Sequence, residues 1–474
     1  MTSSGDSTAG PTPSQGGDDT RWVRRPGDVV PLGEATLAWF AISWQTFGGP
    51  AGQIAVMQRA LVDERRWIGE RRFLHALSYC MVLPGPEAQQ LAIYTGWLLN
   101  GTLGGLIAGV LFVLPGVVAL LILSAVYVGF GDTTVVTALF AGLAPAVLAI
   151  VVQAVVRVAS RALYHVALIA LAVAAFVALA LFAIPFPVVV LGAAIMGWLI
   201  GRVRPQITAK ASPRDTSTAP PLISDDALHH ARPTMRRAAT ILTVGLPLWL
   251  APVGLAAVLT GTSSVFTQQG LFFSGAALVT FGGAYAVLAF VAQKAVETYG
   301  WLTAGEMVRG LGLAETTPGP LIMVVQFVAF LGAYRDPAGL DPWVAAIMAS
   351  LLTTWVTFVP CFVFIFLGAP YVERLRGNES LSSALTGITA AVVGVIANLA
   401  VYFAVHTMFK STSKQSWGPL HVDVPDLTTL RPVALIIAVA GAVLIFRFRW
   451  SVVRTLGVCM LLGVAAGLMS LPLA

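Results

Sequence analysis

The chain has 474 residues, of which 57% are hydrophobic and only 11% charged, with a net charge of +6. Soluble domains carry about 25% charged residues, so this composition leaves too little polar surface for a water-soluble globule and places the chain in a bilayer. The basic residues gather in polar stretches between apolar runs, which reads as positive-inside bias and excludes a nucleic-acid footprint.

In chain order, residues 1–30 are rich in Ser, Thr, Gly, Pro and Asp and lack an early apolar core, so they read as a disordered tail and not a signal peptide. The first membrane repeat is expected over 31–201, with apolar runs near 35–57, 73–99, 104–128, 134–156, 163–183 and 186–201. Residues 202–238, with seven Lys/Arg among Pro, Ser, Thr and Asp, read as a cytoplasmic linker. The second membrane repeat, 239–474, has runs near 240–260, 269–292, 308–333, 342–367, 384–406, 432–446 and 452–473, the first being an extra connector. Thirteen such segments predict an all-α polytopic membrane protein, because lipid cannot satisfy the open edge of a sheet.

Two stretches repeat. Residues 47–86 begin with FGG and end with PGP, and residues 281–320 do the same, aligning without a gap at Gly48/Gly282, Gly49/Gly283, Val62/Val296, Trp67/Trp301 and both PGP triplets. The two FGG segments lie seven segments apart, an odd number, so they enter the membrane from opposite sides: an inverted repeat. Charge bears on how they enter. If 35–57 crosses the bilayer, Arg21–Arg25 and the Arg59–Arg72 cluster fall on opposite sides; if the FGG and PGP segments re-enter, the tail, the 58–72 loop and the linker share the cytoplasm. The matching second-half loop has only Lys294 and Arg309. This count favours re-entry, and both readings stay open at this stage.

Proline removes a helical hydrogen bond and pushes the residue before it out of the helical region, so PGP ends one half-helix and starts another. Pro86 and Pro320 suit a first helical position. The amides of 87–89 and 321–323 are then unpaired at the positive end of a helix dipole, and Gly85 or Gly319 lets an anion approach the backbone. Together Gly48, Gly49, Pro84, Gly85, Pro86, Gly282, Gly283, Pro318, Gly319 and Pro320 outline an anion site near the midplane. Glycine and proline also kink helices for packing alone.

Ionisable residues in apolar runs are costly. Glu87 follows the first PGP, where it also complements the dipole; Glu315 precedes the second and has no such role. Beside a bound anion an ionised carboxylate repels substrate, so both are candidates for coupling transport to protons. Gln89, Gln90 and Gln326 offer neutral amide donors or line a polar helix contact. Arg157 and Arg161, four apart, read as positive-inside anchors or as an attractor at the cytoplasmic mouth. Trp67 and Trp301 read as interface anchors, and Gly101, Gly105 and Gly109 as a packing ridge. Cys80, Cys361 and Cys459 stand apart, and no metal or nucleotide motif is present, so no metal, cofactor or hydrolytic drive is expected.

The phrases FGGPAGQIAVMQRALVDERRW, LPGPEAQQLAIYTGWLLNGTLGG with FVLPG downstream, FGGAYAVLAFVAQ and AETTPGPLIMVVQFVAFLGAY resemble the chromate ion transporter family, in its long two-domain bacterial form. The resemblance covers both halves and implies a multi-pass protein of the bacterial inner membrane that exports chromate, with sulfate as the similar oxyanion. One departure stands out: FGGA at Phe281–Ala284 replaces the FGGP of the first half. An interior 100 mV negative favours exit of a dianion by ~4.6 kcal/mol, which points to export. A sulfate-type importer is the alternative, and an intramembrane lipid-handling enzyme using Glu87 and Glu315 as paired acids is the alternative of another class. A homodimer is compatible with the sequence.

Overall fold

The computed structural model describes residues 28–47, 49–131, 133–208, 222–223, 234–281, 283–369, 379–418, 420–469 and 471. Gly48, Gly282, the tail to residue 27 and most of the 202–238 linker lie outside these residues. The protein is an all-α polytopic membrane protein with one short sheet, and six of its helices are long and apolar enough to cross a bilayer.

The first FGG joins α1 (Leu32–Ser43) to α2 (Gly49–Gln58), and the first PGP joins α3 (Glu70–Cys80) to α4 (Glu87–Phe130). Helix α4 is two limbs, because Asn100 (φ −140°) and Gly101 (φ 61°) leave helical geometry and fold 102–130 back along 87–99. Gly101 is therefore the reversal, and only Gly105 and Gly109 of the expected ridge pack: a methyl at Gly105 would lie 2.8 Å from the Phe366 ring. Val29 donates to the Leu99 carbonyl at 2.9 Å and Asn100 Nδ2 to the Val30 carbonyl at 2.6 Å, so the entry to α1 lies level with the end of the first PGP limb. Val30, Trp67, Ile68, Leu98 and Leu99 share one buried cluster there.

The second half repeats the plan. Helices α5 (Thr134–Ala162), α6 (Val166–Ala180) and α7 (Phe186–Val203) complete the first half, and the short α8 (Pro205–Thr208) and α9 (Met235–Thr260) lead into the second. Then α10 (Val265–Val279) and α11 (Ala284–Gln293) flank the second FGG. Trp301, beyond α11, packs on Phe272 and Phe273 of α10 at 5.7 and 5.8 Å between ring centres, so α11 has returned alongside α10. Helix α12 (Ala304–Thr316) precedes the second PGP and α13 (Val324–Arg335) follows it. Arg335 at the end of α13 meets Glu306 at 2.6 Å and the Trp301 carbonyl at 3.1 Å. Both elements thus leave on the side they entered, which decides for re-entry over spanning.

The two re-entrant sets open on opposite faces. The limb 102–130 starts at the mouth of the first set, and near its other end the Tyr127 hydroxyl donates to Glu306 at 3.3 Å and accepts from Arg309 at 3.1 Å, at the mouth of the second. At 1.5 Å per residue the limb is roughly 43 Å long, more than the ~30 Å of hydrocarbon.

Local geometry repeats as well. After α2 and α11 the chain widens into π-turns at Arg59–Glu64 and Lys294–Thr298. Each ends on a residue of positive φ, Arg66 (54°) and Gly300 (63°), followed by the matched tryptophan. Trp67 then donates to the Leu61 carbonyl at 2.8 Å and Trp301 to the Ala295 carbonyl at 2.9 Å. With 4% and 5% exposure these tryptophans plug the hairpin ends and are not lipid-interface anchors.

Beyond the re-entrant core lie α14 (Pro342–Gly368), α15 (Glu379–Met408), a β-hairpin of β1 (Thr412–Trp417) and β2 (Leu420–Pro425), α16 (Pro432–Ala442) and α17 (Val452–Leu468). The halves exchange their terminal hairpins, α6 and α7 packing on α15 while α16 and α17 pack on α5. Glycine permits both crossings: a methyl at Gly197 would lie 2.7 Å from Gly387 Cα, and one at Gly463 2.7 Å from Gly142 Cα. Near the first mouth, Leu222 and Ile223 of the linker donate to the Arg66 and Trp67 carbonyls, both at 3.0 Å.

Candidate functional site

Each FGG meets the PGP of the other half. The Gly85 amide donates to the Thr280 carbonyl at 2.8 Å, and the Gly319 amide to the Thr46 carbonyl at 2.9 Å. Thr46 and Thr280 hold the same place, one residue before FGG, so the crossing is reciprocal. Four glycines there have positive φ: Gly49 at 77°, Gly85 at 121°, Gly283 at 105° and Gly319 at 103°. L-residues resist such conformations, and two of the positions are also crowded. A methyl at Gly85 would lie 2.8 Å from Gln90 Nε2 and 2.9 Å from Cys361 Sγ, and one at Gly319 3.3 Å from Gly116 Cα. Gly116 and Cys361 follow Pro115 in α4 and Pro360 in α14, so each PGP is also pressed by a proline-bearing helix from the other half.

The carboxyls are placed asymmetrically. Glu87 opens the limb behind Pro86, and its Oε1 lies 3.4 Å from where a methyl on Gly283 would stand, so it faces the second FGG. Glu315 is buried at 1% exposure and accepts a hydrogen bond from the Tyr285 hydroxyl, which in turn lies 3.8 Å from a methyl position on Gly49. Gly283 caps α11 and Tyr285 lies in its first turn, so the start of α11 touches both carboxyls.

Behind Pro86 the first helical hydrogen bond runs from the Gln90 amide to the Pro86 carbonyl at 3.1 Å, leaving the Ala88 and Gln89 amides ahead of it. The second PGP differs from expectation. It opens on a tight 3-10 turn, Leu321–Met323, in which the Met323 amide donates to Pro320 at 2.9 Å, so fewer donors are offered. The two starts are thus unequal in the donors they offer.

The glutamines divide. Gln90 Nε2 donates to the Pro84 carbonyl at 2.6 Å, steadying the first PGP. Gln326 donates to Val117 at 3.0 Å and accepts from Thr354 at 3.1 Å, so it belongs to a helix contact away from the crossing. Gln89 is fully buried with neither amide atom hydrogen-bonded among the described residues. Sequence reasoning missed Gln53, whose Nε2 donates across the halves to the Gly319 carbonyl at 2.5 Å, and Tyr285. Their signal was position: each lies two to four residues after an FGG. Buried polar atoms without partners cost about 1–3 kcal/mol each, and Gln53 Oε1, both Gln89 amide atoms, Gln90 Oε1 and Glu315 Oε2 are such atoms. A polar ligand or water that hydrogen-bonds to them would recover that cost. Among the described residues no group of three or more His, Cys, Asp or Glu is arranged to hold a metal.

The family described as "Chromate transporter" matches residues 33–198 and 267–468, which take in both re-entrant sets. The chain belongs to the chromate transporter family. It is 32% identical over 384 residues to a chromate transport protein of Pseudomonas aeruginosa, covering 80% of this chain and 81% of that one. It is 27% identical over 360 residues to a probable chromate transport protein of Synechococcus elongatus, covering 75% and 80%. It is 26% identical over 411 residues to a chromate transport protein of Cupriavidus metallidurans, covering 84% and 88%. No solved structure matches. Membership makes this an ion transporter that crosses the membrane many times, with an oxyanion as the implied cargo.

Proposed function

We propose that this transporter is a secondary active carrier that moves chromate out of a bacterial cytoplasm across the inner membrane. The observation that carries the reading is the reciprocal crossing, where four positive-φ glycines, two helix starts and unpartnered buried amides converge beside two carboxyls. Neutral amides and helix-start N–H groups hold a dianion without the desolvation cost of a buried ion pair. Glu87 and Glu315 sit where their ionised forms repel a dianion, so protonation and anion binding favour one another and transport runs with proton movement. Sulfate, of the same shape and charge, competes for the same donors.

The cytoplasmic face is assigned to the first mouth. That face carries Arg59, Arg65, Arg66, Arg71 and Arg72 together with the linker residues that pair with them and Arg236 and Arg237 at the start of α9. The matched second-half loop is poor in Lys and Arg, as an external loop is. The N-terminus and linker then lie inside, with 31–201 and 239–474 as the two repeats.

The test is chromate accumulation in everted membrane vesicles containing the protein, under imposed potential and pH gradients, with sulfate as competitor. Export predicts uptake driven by an interior-positive potential. Uptake driven by the opposite potential would reverse the assigned direction, and none under any gradient would remove chromate as the cargo.

A further inference from the structure

We infer that Tyr285 is a positioning residue that fixes one oxygen of Glu315 at the crossing and leaves the other, Oε2, as the atom that takes up and releases the transported proton. The inference rests on the carrier reading above. It stands on three contacts: the Tyr285 hydroxyl donates to Glu315 Oε1, that hydroxyl lies against Gly49 of the opposite FGG, and Oε2 is buried without a partner among the described residues. The arrangement belongs to one half only, since the first-half residues at the matched positions are Ala51 and Met81. Likewise Glu87 is matched by Leu321. The symmetric scaffold thus presents two unlike carboxyls, one at a helix start and one held by a phenol.

The surroundings fit a group that must change protonation. Arg157 of α5 is the charged side chain that acts on both Tyr285 and Glu315, and Glu87 lies beyond Gly283. Of the other charged groups on the packed elements, Arg335 and His406 lie toward helix ends, and Arg309, midway along α12, donates to the Tyr127 hydroxyl at 3.1 Å. Phenol donation holds Oε1, which leaves Oε2 as the oxygen open to a proton. As the proton arrives, the carboxyl loses its charge and its repulsion of the anion; as the proton leaves, that repulsion returns and expels the anion. Tyr285, on α11, also ties this event to the FGG glycine of the other half.

The experiment is the pH profile of chromate transport in everted vesicles for wild type, Y285F, E315Q and the double variant. Removing a hydrogen bond to a charged acceptor moves its titration by about one unit. Y285F is therefore expected to move the half-maximal pH upward by about one unit, E315Q to flatten that limb, and Y285F to add no shift in the E315Q background. An unshifted Y285F profile, or an equal shift with E315Q present, overturns the inference. A shift of KM alone, with the profile fixed, also overturns it by making Tyr285 a packing residue. If wild-type protein transports nothing, it is the carrier reading that fails.

Discussion

Replacing Gly85 with alanine tests the crossing most directly, because the structure lets the cost be worked out. At φ 121° the backbone is in territory nearly confined to glycine, and an L-residue there costs of order 1–3 kcal/mol. The new methyl would also stand 2.8 Å from Gln90 Nε2 and 2.9 Å from Cys361 Sγ, closer than carbon atoms approach such groups. Gln90 cannot move away freely, since its Nε2 holds the Pro84 carbonyl at 2.6 Å; giving up that bond costs about 1 kcal/mol more. The sum, about 2–4 kcal/mol, corresponds to a loss of roughly 30- to 1,000-fold if the tip conformation governs transport. Gly275→Ala is the control: it lies within α10 without a positive φ, and a methyl there meets nothing within 4 Å. We expect G85A to insert in amounts equal to wild type, judged by membrane yield and a monodisperse detergent-solubilised peak, yet to lose chromate transport in everted vesicles, while G275A keeps most of it. The double variant G85A/C361G, which removes one of the two overlaps, should recover part of the loss. Wild-type rates from G85A would refute the claim that the tip geometry is needed for transport.

Glu87→Gln is expected to weaken, without removing, the response of transport to an imposed pH gradient while leaving membrane insertion intact, measured in the same vesicles; an unchanged response would clear Glu87 of any part in coupling. Gln53→Leu keeps the volume but deletes the 2.5 Å donor to the Gly319 carbonyl, so about 1–3 kcal/mol of crossing stability should go, read as a lower detergent melting temperature together with slower transport. At the second mouth, Arg335→Ala leaves Glu306 without its 2.6 Å partner; the pair is partly exposed, so about 1 kcal/mol or less of stability should be lost, with no change in sulfate competition. Single cysteines placed at Glu64 and at Thr298, in the two matched π-turns, should label from opposite sides of the membrane, and labelling from one side would contradict the inverted arrangement.

Much of this was legible in the sequence, for identifiable physical reasons. Hydrophobic runs report burial in lipid directly, so the membrane class followed from composition. Gly and Pro report backbone geometry directly, so the breaks and their repetition were readable as well. What could not be read was depth. A 12-residue α1 looks like a full apolar run because the chain continues apolar past the FGG, and only the contacts at the mouths, Val29 with Leu99 and Arg335 with Glu306 and Trp301, settle re-entry. Trp67 and Trp301 were misplaced for a related reason: tryptophan suits both a lipid interface and a buried plug, and sequence does not distinguish them. Tyr285 and Gln53 were missed because a single polar residue in an apolar run has no period to betray its partner, which here lies 30 and 266 residues away.

The reciprocal crossing also constrains how access can alternate. Thr46 with Gly319, and Thr280 with Gly85, each join one half to the other, so a relative movement of the halves stretches both bonds together. A carrier built this way does not open one tip at a time without disturbing the other, and that is the coupling alternating access requires. The mouths, by contrast, are secured by different chemistry. At the second, Arg335, Glu306, Tyr127 and Arg309 form a polar chain between α13, α12 and α4. At the first, the backbone of Leu222 and Ile223 is paired with Arg66 and Trp67. The positions matching Glu306 and Arg335 are Arg72 and Gly101, so the polar chain has no first-half copy. Reciprocally joined tips with unlike mouths give two end states of unequal energy, and that inequality sets which face the empty carrier presents at rest. Weakening the polar chain with Glu306→Gln should therefore change the apparent KM for chromate unequally on the two faces, measured in everted and right-side-out vesicles, while the flux ratio at a given driving force stays where the gradients set it; an equal change on both faces would contradict the assignment.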